Sequence, residues 1–146
     1  MTENFVAEKQ VTVKASADTV WKALTDPAMV QQYMYGTNLE TSWEVGSPIR
    51  WKGEWHGKPY EDKGTVLAVE PKKLLSVTHW SPMGGSEDKP ENYHTLTYEL
   101  DERGNDTVLT LKQDNNPSQE AANMMADQSW GPVLEGLRAV AEQQKG

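Results

Sequence analysis

The chain has 146 residues and a formal charge of −8, from 22 Asp and Glu against 14 Lys and Arg. That length is one ordinary domain, residues 1–146. The acidity, with no basic cluster denser than Lys72-Lys73, argues against nucleic acid and anionic membranes as partners. With no cysteine there are no disulfides, no thiolate metal sites and no thiol nucleophile.

The first ten residues, MTENFVAEKQ, lack the basic start and apolar run of a signal peptide. No stretch approaches the roughly 18 apolar residues of a membrane span, so a cytoplasmic location is expected. Only 36% of residues are hydrophobic, but there are six Trp and five Tyr against one Phe. Trp is large and amphipathic, and it suits cavity walls as well as plain core.

In chain order, residues 5–14 alternate, with Phe5, Ala7, Val11 and Val13 on one face and Lys9 interrupting it. Period two is a half-buried strand. The run ASADTVWKALTDP then changes period. Ser16 or Asp18 can cap a helix carrying Val20, Trp21 and Leu24 on one face, and Pro27 ends it. A second short helix is expected over residues 28–34, stopped by Gly36.

Between residues 38 and 115 strands and turns repeat. A strand over 38–44 meets the turn Val45-Gly46-Ser47-Pro48. Residues 49–56 follow, with Ile49, Trp51, Gly53 and Trp55 on one face and Arg50, Lys52, Glu54 and His56 on the other. Gly57-Lys58 reads as a hairpin turn, and residues 60–70 as a strand with Gly64 a candidate bulge. Residues 74–80 are the next strand, and the polar, Pro- and Gly-bearing stretch 81–91 is an exposed loop. Residues 93–100 place His94, Leu96, Tyr98 and Leu100 on the apolar side, and 107–113 form the last strand.

The C-terminal stretch is helical, entered through Asn116-Pro117-Ser118 with Gln119 and Glu120 in its first turn. Trp130, Val133, Leu134, Leu137 and Ala141 form one stripe. Pro132 falls inside it, so one bent helix or two with a break are expected. The order of strand, two short helices, about six strands and a long helix is an α+β arrangement built on an antiparallel meander.

The run Val20-Trp21-Lys22-Ala23-Leu24-Thr25-Asp26-Pro27 resembles the opening signature of the START-like, polyketide-cyclase superfamily (SRPBCC). It is most similar to the branch of the activator of the 90-kDa heat-shock protein ATPase. Gly64-Thr65-Val66, Pro71-Lys72-Lys73-Leu74-Leu75 through Thr78-His79-Trp80, Thr107 to Leu111, and Ser129-Trp130 with Leu134 and Leu137 match further motifs in order. Ser129 stands where the family usually has Gly. The resemblance implies a helix-grip fold, a curved antiparallel sheet of about six to seven strands wrapped around a long C-terminal helix. Carriers, receptors, cyclases and co-chaperone domains share it, so it fixes no function.

Six residues are candidate ligand contacts. Trp51 and Trp55 share a strand face and border a cavity if that face is concave; otherwise they pack on the C-terminal helix. His79 is in phase with Leu75 and Val77, and His94 with Leu96, Tyr98 and Leu100. Each His is either a buried neutral ring with one hydrogen bond or a polar anchor or acid/base group. Trp130 is on the helix stripe and should lie on the inner sheet face near Trp21 or the Leu109 and Leu111 strand, its N–H needing an acceptor. Separate strands for the three His, with no HExxH, speak against a metal site, and no cofactor motif is present. Three readings follow: a binder of a small apolar ligand, an enzyme on an aromatic or polyketide-type substrate using His94 or Tyr98, and a chaperone ATPase-stimulating partner. The third rests on resemblance alone.

Overall fold

The computed structural model describes residues 5–33, 36–55, 57–81, 87–89, 92–116 and 118–143, apart from the side chains of Trp55 and Ser129. His56, Pro117, residue 34 of the expected second helix and most of the expected 81–91 loop lie outside the described residues. Strand β1 (Phe5–Val13) leads into helices α1 (Ala17–Thr25) and α2 (Pro27–Tyr33). Then come β2 (Asn38–Glu40), β3 (Pro48–Trp55), β4 (Lys58–Glu70), β5 (Leu74–His79), β6 (His94–Arg103) and β7 (Asp106–Asn116). The C-terminal helix has two α-helical parts, α3 (Gln119–Met124) and α4 (Gly131–Gln143), joined by a π-helical turn, Met125–Trp130.

The seven strands form one antiparallel sheet in the order β1-β7-β6-β5-β4-β3-β2. Each connection from β2 to β7 joins neighbours, the meander that short turns favour. Strand β1 closes the far edge by pairing with β7, Val11 opposite Leu109 and Val13 opposite Thr107. The concave face carries Ile49, Trp51, Val66, Leu75, Val77, Leu96, Leu100, Leu109 and Leu111, all buried, and the helices cover it with Val20, Leu24, Val30, Leu134 and Leu137. This is the helix-grip arrangement.

Local chemistry places the helices. Ser16 caps α1 by accepting from the Thr19 amide, and the Glu102 carboxylate accepts from the Ala17 amide, tying the helix start to β6. Past α2, the Gly36 amide donates back to the Gln31 carbonyl from a φ of 81°.

Three details differ from the sequence reading. Strand β2 spans three residues rather than seven, because residues 41–44 leave the ladder and Trp43 takes a φ of 63°. The hairpin between β3 and β4 pairs Trp55 with Lys58, so Lys58 belongs to the strand and not to the turn. The bulge in β4 falls between Val66 and Ala68, not at Gly64. Gly64 is instead a point of close approach: a Cβ there would sit 1.8 Å from the Thr78 carbonyl oxygen.

Of the two forms expected for the C-terminal helix, a single one or two with a break, the chain takes the first, running without a break from Gln119 to Gln143. The Gly131 amide donates to the Ala126 carbonyl, five residues back. Proline lacks the N–H for an α-helical bond and its ring collides with the carbonyl four residues earlier. A widened turn directly before Pro132 absorbs both problems without a kink that ends the helix.

Candidate functional site

The register of β3 and β4 sets Trp51 directly opposite Asp62. Residues facing each other in an antiparallel pair point to the same side, so a carboxylate lies beside a buried indole on the concave face. His79, at the end of β5, completes the group. Its Nε2 is 3.0 Å from Asp62 Oδ2, and its ring meets Trp51 edge-on, centroids 5.0 Å apart at 67°. Both side chains are largely buried, His79 at 22% and Asp62 at 17% exposure. The remaining heteroatoms, Asp62 Oδ1 and His79 Nδ1, are buried without a hydrogen-bond partner.

Beyond Trp51 the concave face meets α1, α2 and the 41–47 segment around a small cavity. Leu24, Val30, Tyr33, Leu39, Trp43, Ile49, Trp51, Leu75, Val77 and Tyr98 line it. Its free volume is about 30 Å³, room for one or two waters. Burial pushes the Tyr98 phenol up to about 12, and it raises Tyr33 in the same direction, with Tyr98 adding to the effect. The Tyr33 hydroxyl donates to the Ala23 carbonyl at 2.7 Å. Trp43 Nε1 donates to the Thr25 carbonyl at 3.2 Å, which fastens the 41–47 segment to the end of α1.

Five of the six sequence candidates separate into three places. Trp51 and Tyr98 share the cavity wall. His79 stands behind Trp51 on the Asp62 pair, and His94 is its cross-strand partner. His94 Nδ1 donates to the Asp114 carbonyl at 2.8 Å, and neither histidine, nor Asp62, is among the cavity-lining residues. The histidine with a carboxylate partner is therefore His79 and not His94. Trp130 is on the other side of the grip, packed against the core with its indole N–H donating to Gln113 Oε1 on β7 at 3.0 Å. The Trp55 side chain lies outside the described residues.

Sequence reasoning missed Asp62, Gln113, Tyr33 and Trp43. Asp62 had a signal: counted from the hairpin, it shares the phase of Tyr60, Gly64 and Val66. A charged residue in an inward-facing phase needs a partner. Trp43 had none, since it lies in irregular chain. Among the described residues no three of His, Asp and Glu come together in a metal-holding group, and no helix is long and apolar enough to cross a membrane.

The family model described as "Activator of Hsp90 ATPase homolog 1-like protein" matches residues 14–142. The chain belongs to that family. No curated protein shows a significant match. Among solved structures, ChR145 from Cytophaga hutchinsonii is 38% identical, with 99% of each chain covered and a TM-score of 0.85. The Aha1 dimer from Colwellia psychrerythraea is 20% identical at a TM-score of 0.70, covering 99% of this chain and 100% of that one. DynU16, a protein of the dynemicin biosynthetic locus, is 23% identical at a TM-score of 0.75, covering 95% of this chain and 48% of that one. The last two likenesses show the shared fold.

Proposed function

We propose that this family member binds a small, largely apolar molecule between the concave sheet face and helices α1 and α2. The observation that carries the reading is the wall of the cavity. Its lining is aliphatic and aromatic, with polar atoms supplied by Tyr33, Trp43 and Tyr98, the composition expected of a small-molecule site. Tyr33 and Trp43 spend their donors on backbone carbonyls, which leaves Tyr98 as the polar group of this wall able to meet a ligand.

At about 30 Å³ the cavity is nearly filled by its own side chains, so a ligand enters by displacing them. The wall best suited to yield is Trp43. It holds a φ of 63°, a conformation that strains a bulky residue, and its indole N–H is tied to α1 through the Thr25 carbonyl. Titration with fatty acids, isoprenoids and flavonoids, followed by intrinsic tryptophan fluorescence, tests the reading. Trp43 and Trp51 on the wall should report a saturable change with at least one class. No saturable change with any of them overturns it.

A further inference from the structure

We propose that the Asp62–His79 pair is an acceptor site that selects ligands bearing an O–H or N–H donor on an apolar body. The inference rests on the ligand-binding reading above and names the chemical class that the site takes.

The argument begins with the proton between the two side chains. At 3.0 Å, His79 Nε2–H donates to Asp62 Oδ2. In the neutral ring the proton on Nε2 leaves Nδ1 as a lone pair. A carboxylate oxygen is likewise an acceptor, so the two buried atoms without partners, Nδ1 and Asp62 Oδ1, have the same polarity. Folded proteins rarely leave one such atom without a donor, and two on adjacent residues are rarer. Neither can satisfy the other. A donor must come from elsewhere, and the hydroxyl or amine of a ligand can supply it in place of water.

The surroundings define the rest of the molecule. Trp51 is opposite Asp62 in the ladder and edge-on to His79, and it also forms part of the apolar cavity wall. A ligand whose body replaces side-chain contacts along Trp51 brings its polar end toward the pair. Discrimination at such a site comes from orphaned acceptors. An analogue with the same shape and no donor leaves both of them buried and unpaired, and it is rejected more strongly than an analogue that differs by a methylene. Asp62 acts here in two ways, as acceptor and as the group that holds the His79 tautomer.

A matched pair of probes tests this, β-naphthol and its methyl ether, titrated calorimetrically into wild-type protein and the double variant Asp62→Leu/His79→Phe. Nitrogen-15 spectra of the wild-type histidine rings are recorded in parallel. The naphthol should bind about tenfold tighter than the ether, the equivalent of 1.4 kcal/mol. The free protein should show His79 protonated on Nε2 alone, and the Nδ1 resonance should move on naphthol binding. In the double variant Asp62→Leu/His79→Phe, which removes both acceptors and keeps a ring against Trp51, naphthol affinity should fall to that of the ether while the ether is unaffected. Equal affinities for the two probes in wild type overturn the proposal and leave apolar ligand binding standing. So does a free His79 already protonated on Nδ1, and that readout needs no variant. If neither probe binds, the underlying ligand reading fails and this inference fails with it.

Discussion

Trp130 carries two separable interactions, and they can be removed one at a time. Its ring packs on the core while its N–H satisfies Gln113, which is 3% exposed. Trp130→Phe keeps most of the ring and orphans a buried amide oxygen, a change expected to cost about 1–3 kcal/mol. Trp130→Ala loses both, and because the indole is only half-buried the cost should sit near the low end of the roughly 3–5 kcal/mol range for such truncations. Urea unfolding of both variants measures the difference. If Trp130→Ala unfolds like wild type, this residue does not hold the helix to the sheet. At this scale the sequence was partly legible. The phase of the helix stripe predicted an inward Trp in need of an acceptor, but Gln113 could not be named, because a polar residue ending an apolar strand run reads as the start of the surface.

The C-terminal helix shows what an element-level reading sees and misses. Periodicity identified the stripe and Pro132 marked trouble, and the helix stays continuous through a π-helical turn that those rules do not name. Ala122, Ala126, Trp130 and Leu134, spaced by four, all face the protein. At 3.6 residues per turn each step of four drifts about 40°, so three steps would rotate the face by about 120°. A wider π-helical turn cancels that drift and also spares Pro132 its clash. The turn therefore serves packing as well as proline. We expect Pro132→Ala to change stability by less than about 1 kcal/mol, far short of the ~3 kcal/mol that a proline imposes inside a regular helix. Chemical denaturation provides the measurement. A gain near 3 kcal/mol would mean that the proline strain is carried in full and that packing has no hold on the π turn.

The cavity sets how the whole molecule responds to alkali. The Tyr98 phenol stands at about 12 in the fold against 10.0 for an unperturbed tyrosine, because burial penalises the phenolate. A raised folded value for a group that ionises by losing its proton gives a contribution fully present below pH 10. It is lost as pH rises through 12. Two units correspond to about 2–3 kcal/mol, a large part of the roughly 5–15 kcal/mol a domain has. Tyr33 is raised in the same direction by burial and by its neighbour Tyr98, so the two add. Alkaline unfolding should be cooperative above pH 10, with tyrosinate absorbance from the cavity rising with the loss of structure. Tyr98→Phe should move the midpoint to higher pH. Tyrosinate formation from Tyr98 well before unfolding would show that the cavity is already open to water.

The sequence by itself determined the meander, the concave faces of most strands and the gripping helix. These depend on periods of two and about 3.6 along one segment, and a segment carries its own period wherever it packs. It also placed Trp51, His79 and Tyr98 in inward phases. Which of these meet was decided by register. Placing the hairpin turn at Gly57-Lys58 would set Trp51 opposite Gly64. The observed pairing of Trp55 with Lys58 sets it opposite Asp62 and so assembles the carboxylate, imidazole and indole group. A shift of that kind leaves every inward residue inward, so no hydrophobic pattern detects it. The small cavity and the Trp43 wall were likewise decided only in three dimensions, since both arise where elements distant in the chain come into contact.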